Sequence, residues 1–247
     1  MSRWLLAVLG LGAYALGLVA MAPATLIDAG IQQASAGKLR LADARGTLWA
    51  GTGQLEMRDW MERTAVARNI AWRVLPIYLL RGQLRAEIVL DQAAKPFPVT
   101  VSASQIELAD ADINLPAAAL GLGEPKLAPL GLTGDVLLHV TRLALGPNAV
   151  AGSATLLWRG AGSAYTRVSP LGDYELRLDG EGATVRASLR TLQGPLQLDG
   201  QGSWTSGARP SFLGSARIAP EERQQLAPLM RMIAVERRDG SFELLLK

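Results

Sequence analysis

The stretch that decides the fold is Tyr174–Leu189, YELRLDGEGATVRASL, in which apolar and polar residues alternate one by one from Tyr174 to Asp179 and again from Val185 to Leu189. Successive side chains of a β-strand point to opposite faces, so a period of two predicts strands with one buried and one solvated face. The stretch contains Asp179-Gly180, a pair typical of tight hairpin turns, and the same pair recurs at Asp199-Gly200 and Asp239-Gly240. We therefore expect antiparallel strands joined at these three pairs.

The same alternation recurs from residue 38 to the C-terminus, for example in Leu84–Leu90 and Phe242–Leu246. Phe97–Ala111 changes parity near Ser104, which predicts a bulge or bend. Outside the N-terminal apolar segment, only Pro220–Ile233 and Thr25–Ala34 indicate helices of useful length. The residues expected on the buried face are Leu39, Leu41, Leu84, Ile88, Val99, Val101, Leu176, Leu178, Val185 and Leu189.

Ahead of the strands, Trp4–Ala22 carries no charged residue, and as a helix its roughly 19 positions span about 28 Å, close to the ~30 Å hydrocarbon core. A cleavable signal peptide is the alternative, but Pro23 would follow the small-x-small site and hinder the cut. We predict an uncleaved membrane anchor over residues 1–23. Arg3 is expected on the cytoplasmic side, and the chain after residue 23 is expected in the periplasm. The predicted anchor residues are Trp4, Leu5, Leu6, Leu9, Leu11, Leu16 and Leu18, and Ala13 and Gly17 are spaced for contact with another helix.

These patterns predict an all-β fold behind a single N-terminal transmembrane helix. A short helical connector over residues 24–37 would lead to a periplasmic β domain over residues 38–247. The domain is expected to be a strongly curved, twisted antiparallel β-sheet, a half-open barrel or a groove with an apolar concave side. Leu48–Gly53 and Leu157–Gly162 share Leu-Trp-x-Gly-x-Gly. If this shared pattern reflects an internal repeat rather than chance similarity, the domain consists of two β units, 38–115 and 131–247.

Composition excludes several kinds of site. The chain has no Cys and one His, which rules out disulfides, thiolate chemistry and a two-His zinc site. A formal charge of +3 is too small to indicate nucleic-acid binding. His139 lies in a strand-like run without a Gly-x-Ser-x-Gly elbow, and Ser35-x-x-Lys38 has no supporting motif. Asp110 and Asp112 share a strand face, which is more typical of a solvated surface than of a cation site. We expect no enzyme activity, cofactor or metal.

The tryptophans allow two interpretations. Trp49 and Trp72 are either core anchors whose indole N–H bonds to backbone, or exposed rings that contact a partner or lipid. Gly46 and Gly51 flank Trp49 and indicate a close backbone approach, either a bulge or a neighbouring aromatic ring that needs space.

Several short runs form an ordered set: Arg45–Gly51 (RGTLWAG), Trp72–Pro76 (WRVLP) with Leu79, Leu80, Gly82 and Leu84, Pro170–Tyr174 (PLGDY), Gly194–Leu196 (GPL) and Gly200–Trp204 (GQGSW). In order and spacing this set resembles the type II secretion system protein N family. The motif residues, expected to define the fold or its contacts, are Gly46, Thr47, Leu48, Trp49, Gly51, Trp72, Pro76, Gly82, Pro170, Leu171, Gly172, Tyr174, Gly194, Pro195 and Trp204.

The resemblance implies a single-pass inner-membrane protein with a periplasmic β domain, an accessory component of the apparatus that exports folded exoproteins. It implies partners among the other inner-membrane components, with the outer-membrane secretin as a further candidate, and it supplies no catalytic residues. The residues leave a second hypothesis open. An uncovered apolar sheet face, similar to that of the AsmA-like group, would bind lipid acyl chains.

Overall fold

The computed structural model describes residues 3–58, 64–91, 95–123, 127–208, 211–233, 235–236 and 242–246. The chain divides into two compact units, residues 1–96 and residues 97–247. The division falls between Pro96 and Phe97, whereas the shared Leu-Trp-x-Gly-x-Gly pattern places a boundary between residues 115 and 131. The halves 38–115 and 131–247 stay a prediction.

The first unit begins with two helices, α1 (Arg3–Ala20) and α2 (Thr25–Ala34). Four antiparallel strands follow, each paired with the next: β1 (Leu39–Gly46), β2 (Ala50–Arg58), β3 (Thr64–Leu75) and β4 (Leu84–Leu90). A 3₁₀ helix, Pro76–Arg81, connects β3 to β4. Within the described residues, no helix combines the length and the apolarity needed to cross a membrane. The helix α2 has the predicted bounds.

The core of the first unit lies where α2 packs on the sheet. Its buried residues are Ala24, Leu41, Trp72, Val74 and Ala86, with Ile27 and Ile31 of α2 packed against them. The helix also bonds to the outer edge of β1. The Asp28 carboxylate accepts a hydrogen bond of 2.8 Å from the Leu41 N–H, and the Ser35 hydroxyl oxygen accepts one of 3.0 Å from the Leu39 N–H. Side chains of α2 and of Ser35, which follows it, thus occupy backbone donors that an added strand would need.

The second unit is a longer antiparallel sheet. Its strands are β5 (Phe97–Val101), β6 (Ile106–Pro116), β7 (Leu132–Leu145), β8 (Val150–Ser163), β9 (Gly172–Gly182), β10 (Thr184–Gln193), β11 (Leu196–Thr205), β12 (Ser211–Ile218), β13 (Val235–Glu236) and β14 (Phe242–Leu246). From β5 to β12 each strand pairs with the next, and β14 lies between β12 and β13. Within each unit, the first and the last strand do not pair with one another among the described residues.

Short helices fill two connections of the second unit. The 3₁₀ helices Ala117–Ala119 and Ala128–Leu130 and the short helix α3 (Leu120–Gly123) lie between β6 and β7. A 3₁₀ turn, Pro220–Glu222, leads into α4 (Arg223–Ile233), which confirms the helix predicted over Pro220–Ile233. The core of this unit lies under α4: Leu130, Val168, Leu171, Leu196, Ala216, Leu226, Leu229 and Met230 are its buried residues.

The alternating strands are confirmed, but the predicted buried face is only partly buried. Leu41 and Val185 are buried, whereas Leu84 and Val101 are 38% and 37% exposed. The remaining residues of that set are half-buried: Leu39, Ile88, Val99, Leu176, Leu178 and Leu189. The reason is that α2 and α4, the helices at the two described cores, each cover only part of a sheet.

Two turn predictions are wrong. Asp179-Gly180 and Asp199-Gly200 lie inside β9 and β11, where these glycines make room for a side chain on an adjacent strand. A Cβ on Gly180 would lie 2.7 Å from a Val150 side-chain carbon, and one on Gly200 would lie 2.6 Å from the Phe212 ring. The bend predicted as one alternative near Ser104 is confirmed: it forms the hairpin turn between β5 and β6 rather than a bulge within one strand. The third pair, Asp239-Gly240, falls outside the described residues.

Candidate functional site

The run Arg45–Gly51 forms the turn between β1 and β2, and it binds the segment that joins α1 to α2. The Leu48 N–H donates to the Ala22 carbonyl oxygen at 2.8 Å, and the Ala24 N–H donates to the Gly46 carbonyl oxygen at 3.3 Å. Pro23 and Thr47 form an isolated antiparallel bridge between these two bonds. We call this arrangement the exit clamp, since it holds the chain where it leaves α1.

Trp49 extends the exit clamp to the last turn of α1. Its indole N–H donates a hydrogen bond of 2.9 Å to the carbonyl oxygen of Val19. Carbonyl groups in the last turn of a helix have no partner within the helix, and the Val19 carbonyl oxygen accepts here from the Trp49 indole and from the Ala22 N–H at 3.3 Å. The carbonyl oxygen of Trp49 in turn accepts from the Val74 N–H at 2.7 Å. One residue therefore links α1 to the end of β3.

Trp72 supports the exit clamp from within the core. Its side chain is 8% exposed, and its indole N–H donates to the Thr47 carbonyl oxygen at 3.2 Å. Gly51 is its register partner on β2, and a Cβ on Gly51 would collide with the Trp72 ring. The Gly46 backbone adopts φ +97°, in the region that favours glycine. Gly51 is thus explained by close packing against the Trp72 ring, and Gly46 by its positive φ and by the nearby backbone of Ala50 and Gly51.

The next motif residues bound the 3₁₀ helix of the first unit. Pro76 begins it, and Gly82 ends it with φ 68°. A left-handed glycine after a helix is a common stop, because its N–H can return to a free carbonyl group. Here the Gly82 N–H donates to the Leu79 carbonyl oxygen at 2.9 Å. The motif residues 76 and 82 therefore shape one short connection at the same end of the sheet as the exit clamp.

In the second unit, the runs 170–174 and 194–196 come together beneath α4. The Leu171 N–H donates to the Ala161 carbonyl oxygen at 2.6 Å, and the Leu196 N–H donates to the Leu171 carbonyl oxygen at 3.1 Å. Gly194, with φ +127°, lies so close to Gly172 that a Cβ would collide with the Gly172 Cα atom. These contacts join β9 to the turn between β10 and β11, so the two runs act as one structural unit.

Tyr174 anchors this second group. Its side chain is 3% exposed, and its hydroxyl donates to the Leu196 carbonyl oxygen at 2.9 Å. Burial, followed by the negative charge of Asp173, raises the pKa of the Tyr174 hydroxyl. The ring packs against Trp158 with the two centroids 5.8 Å apart. A buried, neutral hydroxyl that links β9 to the start of β11 stabilises the fold by packing and hydrogen bonding and is not suited to acid–base catalysis.

The motif residues thus form two groups, one in each unit, and Trp204 belongs to neither. It lies at the far end of β11 from Leu196 and is 38% exposed. Of the prolines, Pro195 accepts a hydrogen bond of 3.0 Å from the Ala219 N–H, and Pro170 follows a cis peptide bond.

The predicted anchor residues lie on α1. Trp4 is 82% exposed, and Leu9, Leu11, Leu18 and the backbone of Gly17 are exposed as well. The side chains of Leu5, Leu6, Ala13 and Leu16 lie outside the described residues. The proposed roles of all these positions stay predictions.

Of the residues weighed as catalytic or metal-binding, His139, Asp112 and Ser35 have structural partners. His139 and Asp112 are register neighbours on β7 and β6, joined by a contact of 2.6 Å between Nδ1 and Oδ1, with both side chains more than half exposed. The Ser35 hydroxyl bonds to the backbone of Leu39, so the Ser-x-x-Lys run joins α2 to β1. In the part of the chain that the structure describes, no three His, Asp or Glu residues group to hold a metal ion.

Sequence reasoning missed one charged cluster, which centres on Glu175. Its side chain is 9% exposed, and its carboxylate accepts hydrogen bonds from Arg177 at 2.6 Å and from Arg190 at 2.8 Å. These bonds, with that from Arg190 the larger effect, lower the pKa of Glu175. Glu175 and Arg177 are two apart on one strand face, a signal present in the sequence. Arg190 joins them only through the register of β10 against β9.

The comparisons agree with this reading of the motifs. The family model for the type II secretion system (T2SS), protein N, matches residues 37–244. A search of the curated proteins and a search of the solved structures each give no significant match. The matched range includes both motif groups and nearly all of both sheets. The chain belongs to the type II secretion system protein N family.

Proposed function

We propose that this protein is an accessory inner-membrane component of the type II secretion system that acts through protein–protein contacts in the periplasm. Family membership establishes involvement in type II secretion. It also favours a role without enzyme activity, because the family consists of secretion-system components and not of known enzymes. The membrane position, the periplasmic side and the accessory role are the parts that we propose.

The proposed anchor is the N-terminal segment Trp4–Ala22. It contains no charged residue, and Arg3 on its short side favours a cytoplasmic N-terminus. The side chains of Trp4, Leu11 and Tyr14 on α1 are 82%, 70% and 66% exposed. Exposed apolar side chains of this size on one helix mark a membrane or protein contact. A lipid environment would account for it.

The proposal that this protein positions its partners rests on a single observation, the exit clamp. In many tethered domains the chain leaves the membrane through a flexible linker, which leaves the domain free to reorient. Here the residues directly after α1 bond to a strand hairpin, and Trp49 bonds to α1 itself. We infer that the first unit keeps a fixed orientation relative to its anchor, which suits a component that positions partners.

The proposed contact surface is the apolar face of the second unit. Leu138, Leu156, Leu176 and Leu189 lie on four successive strands, β7 to β10, in cross-strand register. All four are half-buried. About 25 cal/mol is gained per Å² of such surface covered, so an apolar partner surface would bind here. The proposed partners are the other inner-membrane components of the system and, as a further candidate, the outer-membrane secretin.

A secretion assay tests this surface with two variants of adjacent residues. Leu189→Glu places a charge on the apolar face, and Ser188→Glu places one on the opposite, polar face of the same strand. A deletion strain would carry the full chain or either variant, with protein level and membrane fraction measured for each. We expect secretion to fall with Leu189→Glu and to persist with Ser188→Glu. Normal secretion with a stably produced Leu189→Glu protein would contradict the proposal.

The same half-buried leucines favour a second candidate, a membrane-anchored protein that binds acyl chains. Mass spectrometry of the full chain, extracted gently from membranes, distinguishes the two functions. Stoichiometric lipid that disappears in Leu189→Glu would favour acyl-chain binding, and its absence would favour a protein partner.

A further inference from the structure

The connection between β3 and β4 exposes an unusual amount of apolar surface for so short a segment. Within the 3₁₀ helix Pro76–Arg81, the residues Ile77, Leu79 and Leu80 are 66%, 43% and 84% exposed. Leu84, which follows in β4, is 38% exposed. Four exposed aliphatic side chains thus lie within eight residues, which we call the patch, and clustered exposed apolar residues mark a contact site.

The charges nearest this patch along the chain are positive, and the first acidic residue is the exposed Glu87, the register partner of Arg73. Between Ile70 and Ala86 the chain carries Arg73, Arg81 and Arg85 and no Asp or Glu. Arg73 and Arg81 are exposed, and the Arg85 guanidinium lies over the Tyr78 ring, 5.1 Å from its centroid. Exposed aliphatic side chains bordered by arginines are the combination that binds an anionic lipid surface.

The register of the strands places this patch at the end of the sheet where α1 leaves. Gly51 and Ala50 at the start of β2 pair with Trp72 and Arg73 near the end of β3. Leu75 pairs with Arg85 of β4. The exit clamp and the 3₁₀ helix therefore lie at the same end of the first unit, and the Val74 N–H bonds directly to Trp49.

We propose that the segment Pro76–Leu84 inserts its aliphatic side chains into the surface of the membrane that holds α1, with Arg73 and Arg81 at the lipid phosphates. This inference rests on the proposed anchor. The occupant is a lipid surface because the patch lies at the end of the first unit where α1 leaves it, and there the bilayer would end. The insertion gives the first unit a second attachment beside α1, so the exit clamp and the patch together fix its orientation.

Depth-dependent fluorescence quenching tests the insertion. The chain has no Cys, so single variants accept one fluorophore at a chosen position. The full chain in nanodiscs of phosphatidylethanolamine and phosphatidylglycerol would carry the probe in Leu80→Cys, Leu11→Cys or Lys38→Cys. Lys38 is exposed and precedes β1 at the opposite end of the sheet, so it serves as the matched control.

We expect lipids with a nitroxide near the headgroup to quench the probe at position 80 about two-fold, since an interfacial side chain lies about 5–10 Å into the boundary. The probe at position 38 is expected to stay unquenched, and that at position 11 to be quenched best by nitroxides deep in the chains. Quenching at 11 without quenching at 80 would overturn the insertion and leave the anchor intact. No quenching at 11 would remove the anchor, and the insertion with it. Equal quenching at 38 and 80 would also overturn the insertion, because the surface contact would then not be specific to the patch.

Discussion

The indole N–H of Trp49 donates a hydrogen bond of 2.9 Å to the carbonyl oxygen of Val19, thirty positions earlier in the chain. The bond joins the most recognisable residue of the RGTLWAG run to the last turn of α1. It gives this motif a physical role that composition and period do not reveal, namely to hold the segment between the helix and the sheet.

Trp49→Phe is expected to loosen the exit clamp while the sheet stays folded. The change keeps the aromatic packing and removes the bond to Val19, which is worth about 0.5–1.5 kcal/mol. Hydrogen exchange of the full chain in detergent measures this at the Ala24 and Leu48 amides, which we expect to exchange up to about ten-fold faster. Trp158→Phe is the control, because it removes a bond of 3.0 Å to Thr133 in the second unit. Unchanged exchange at both amides in Trp49→Phe would show that the clamp does not depend on the indole.

Gly51→Ala is expected to destabilise the first unit by about 1–3 kcal/mol, because its new Cβ collides with the Trp72 ring and the Arg45 carbonyl oxygen. Urea unfolding measures the loss. Gly30→Ala in α2 is the matched control, since a Cβ there meets nothing within 4 Å. That change is expected to stabilise the helix by about 0.5–1 kcal/mol. Equal effects of the two alanines would contradict the close packing described for the indole rings.

Glu175→Gln is expected to cost about 1 kcal/mol at neutral pH, because the neutral amide loses its charge-assisted bonds to Arg177 and Arg190. The pKa of Glu175 is lowered on folding. Its contribution is therefore present above the pKa of the unfolded chain and is lost as the pH falls through the lower folded value. Unfolding free energies at pH 7 and about pH 3 should show the difference between wild type and variant shrinking in acid.

Glu181→Gln provides the control for this pH dependence. The Glu181 carboxylate lies 3.1 Å from Arg186, but both side chains are 65% exposed, so the pair is expected to contribute little. A difference for Glu175→Gln that stays constant from neutral to acid pH would contradict the assigned role of the carboxylate.

Tyr174→Phe is expected to destabilise the second unit by about 1–3 kcal/mol, because it leaves the Leu196 carbonyl oxygen without its hydroxyl donor. Thermal and urea unfolding both measure this change. Tyr165 is 42% exposed, and Tyr165→Phe is expected to change stability by less than about 0.5 kcal/mol. Equal stability of the two variants would contradict a stabilising role for the hydrogen bond between the Tyr174 hydroxyl and the Leu196 carbonyl oxygen.

Local patterns predict the elements of this fold well. The period of two identifies the strands, and the bounds of α2 and the helix ending at Ile233 follow from their capping and apolar signals. The motif runs identify the family. These features depend on residues close together in the chain, where backbone geometry and side-chain chemistry act directly.

Features that depend on register are not predictable in this way. Asp-Gly is read as a turn, yet Gly200 lies within a strand because the Phe212 ring of β12 covers it. Arg190 reaches Glu175 only through cross-strand pairing. The predicted burial of the strand residues is also partly wrong, because burial depends on how much of each sheet α2 and α4 cover. Half-buried Leu176 and Leu189 are the result.

The most direct test of the proposed function is photo-crosslinking in secreting cells from a benzophenone amino acid at position 189, with position 188 on the opposite face as the control. The proposal predicts covalent products with proteins of the secretion apparatus at 189 and not at 188. Adducts with lipid alone at 189, or the same products from both positions, would contradict it.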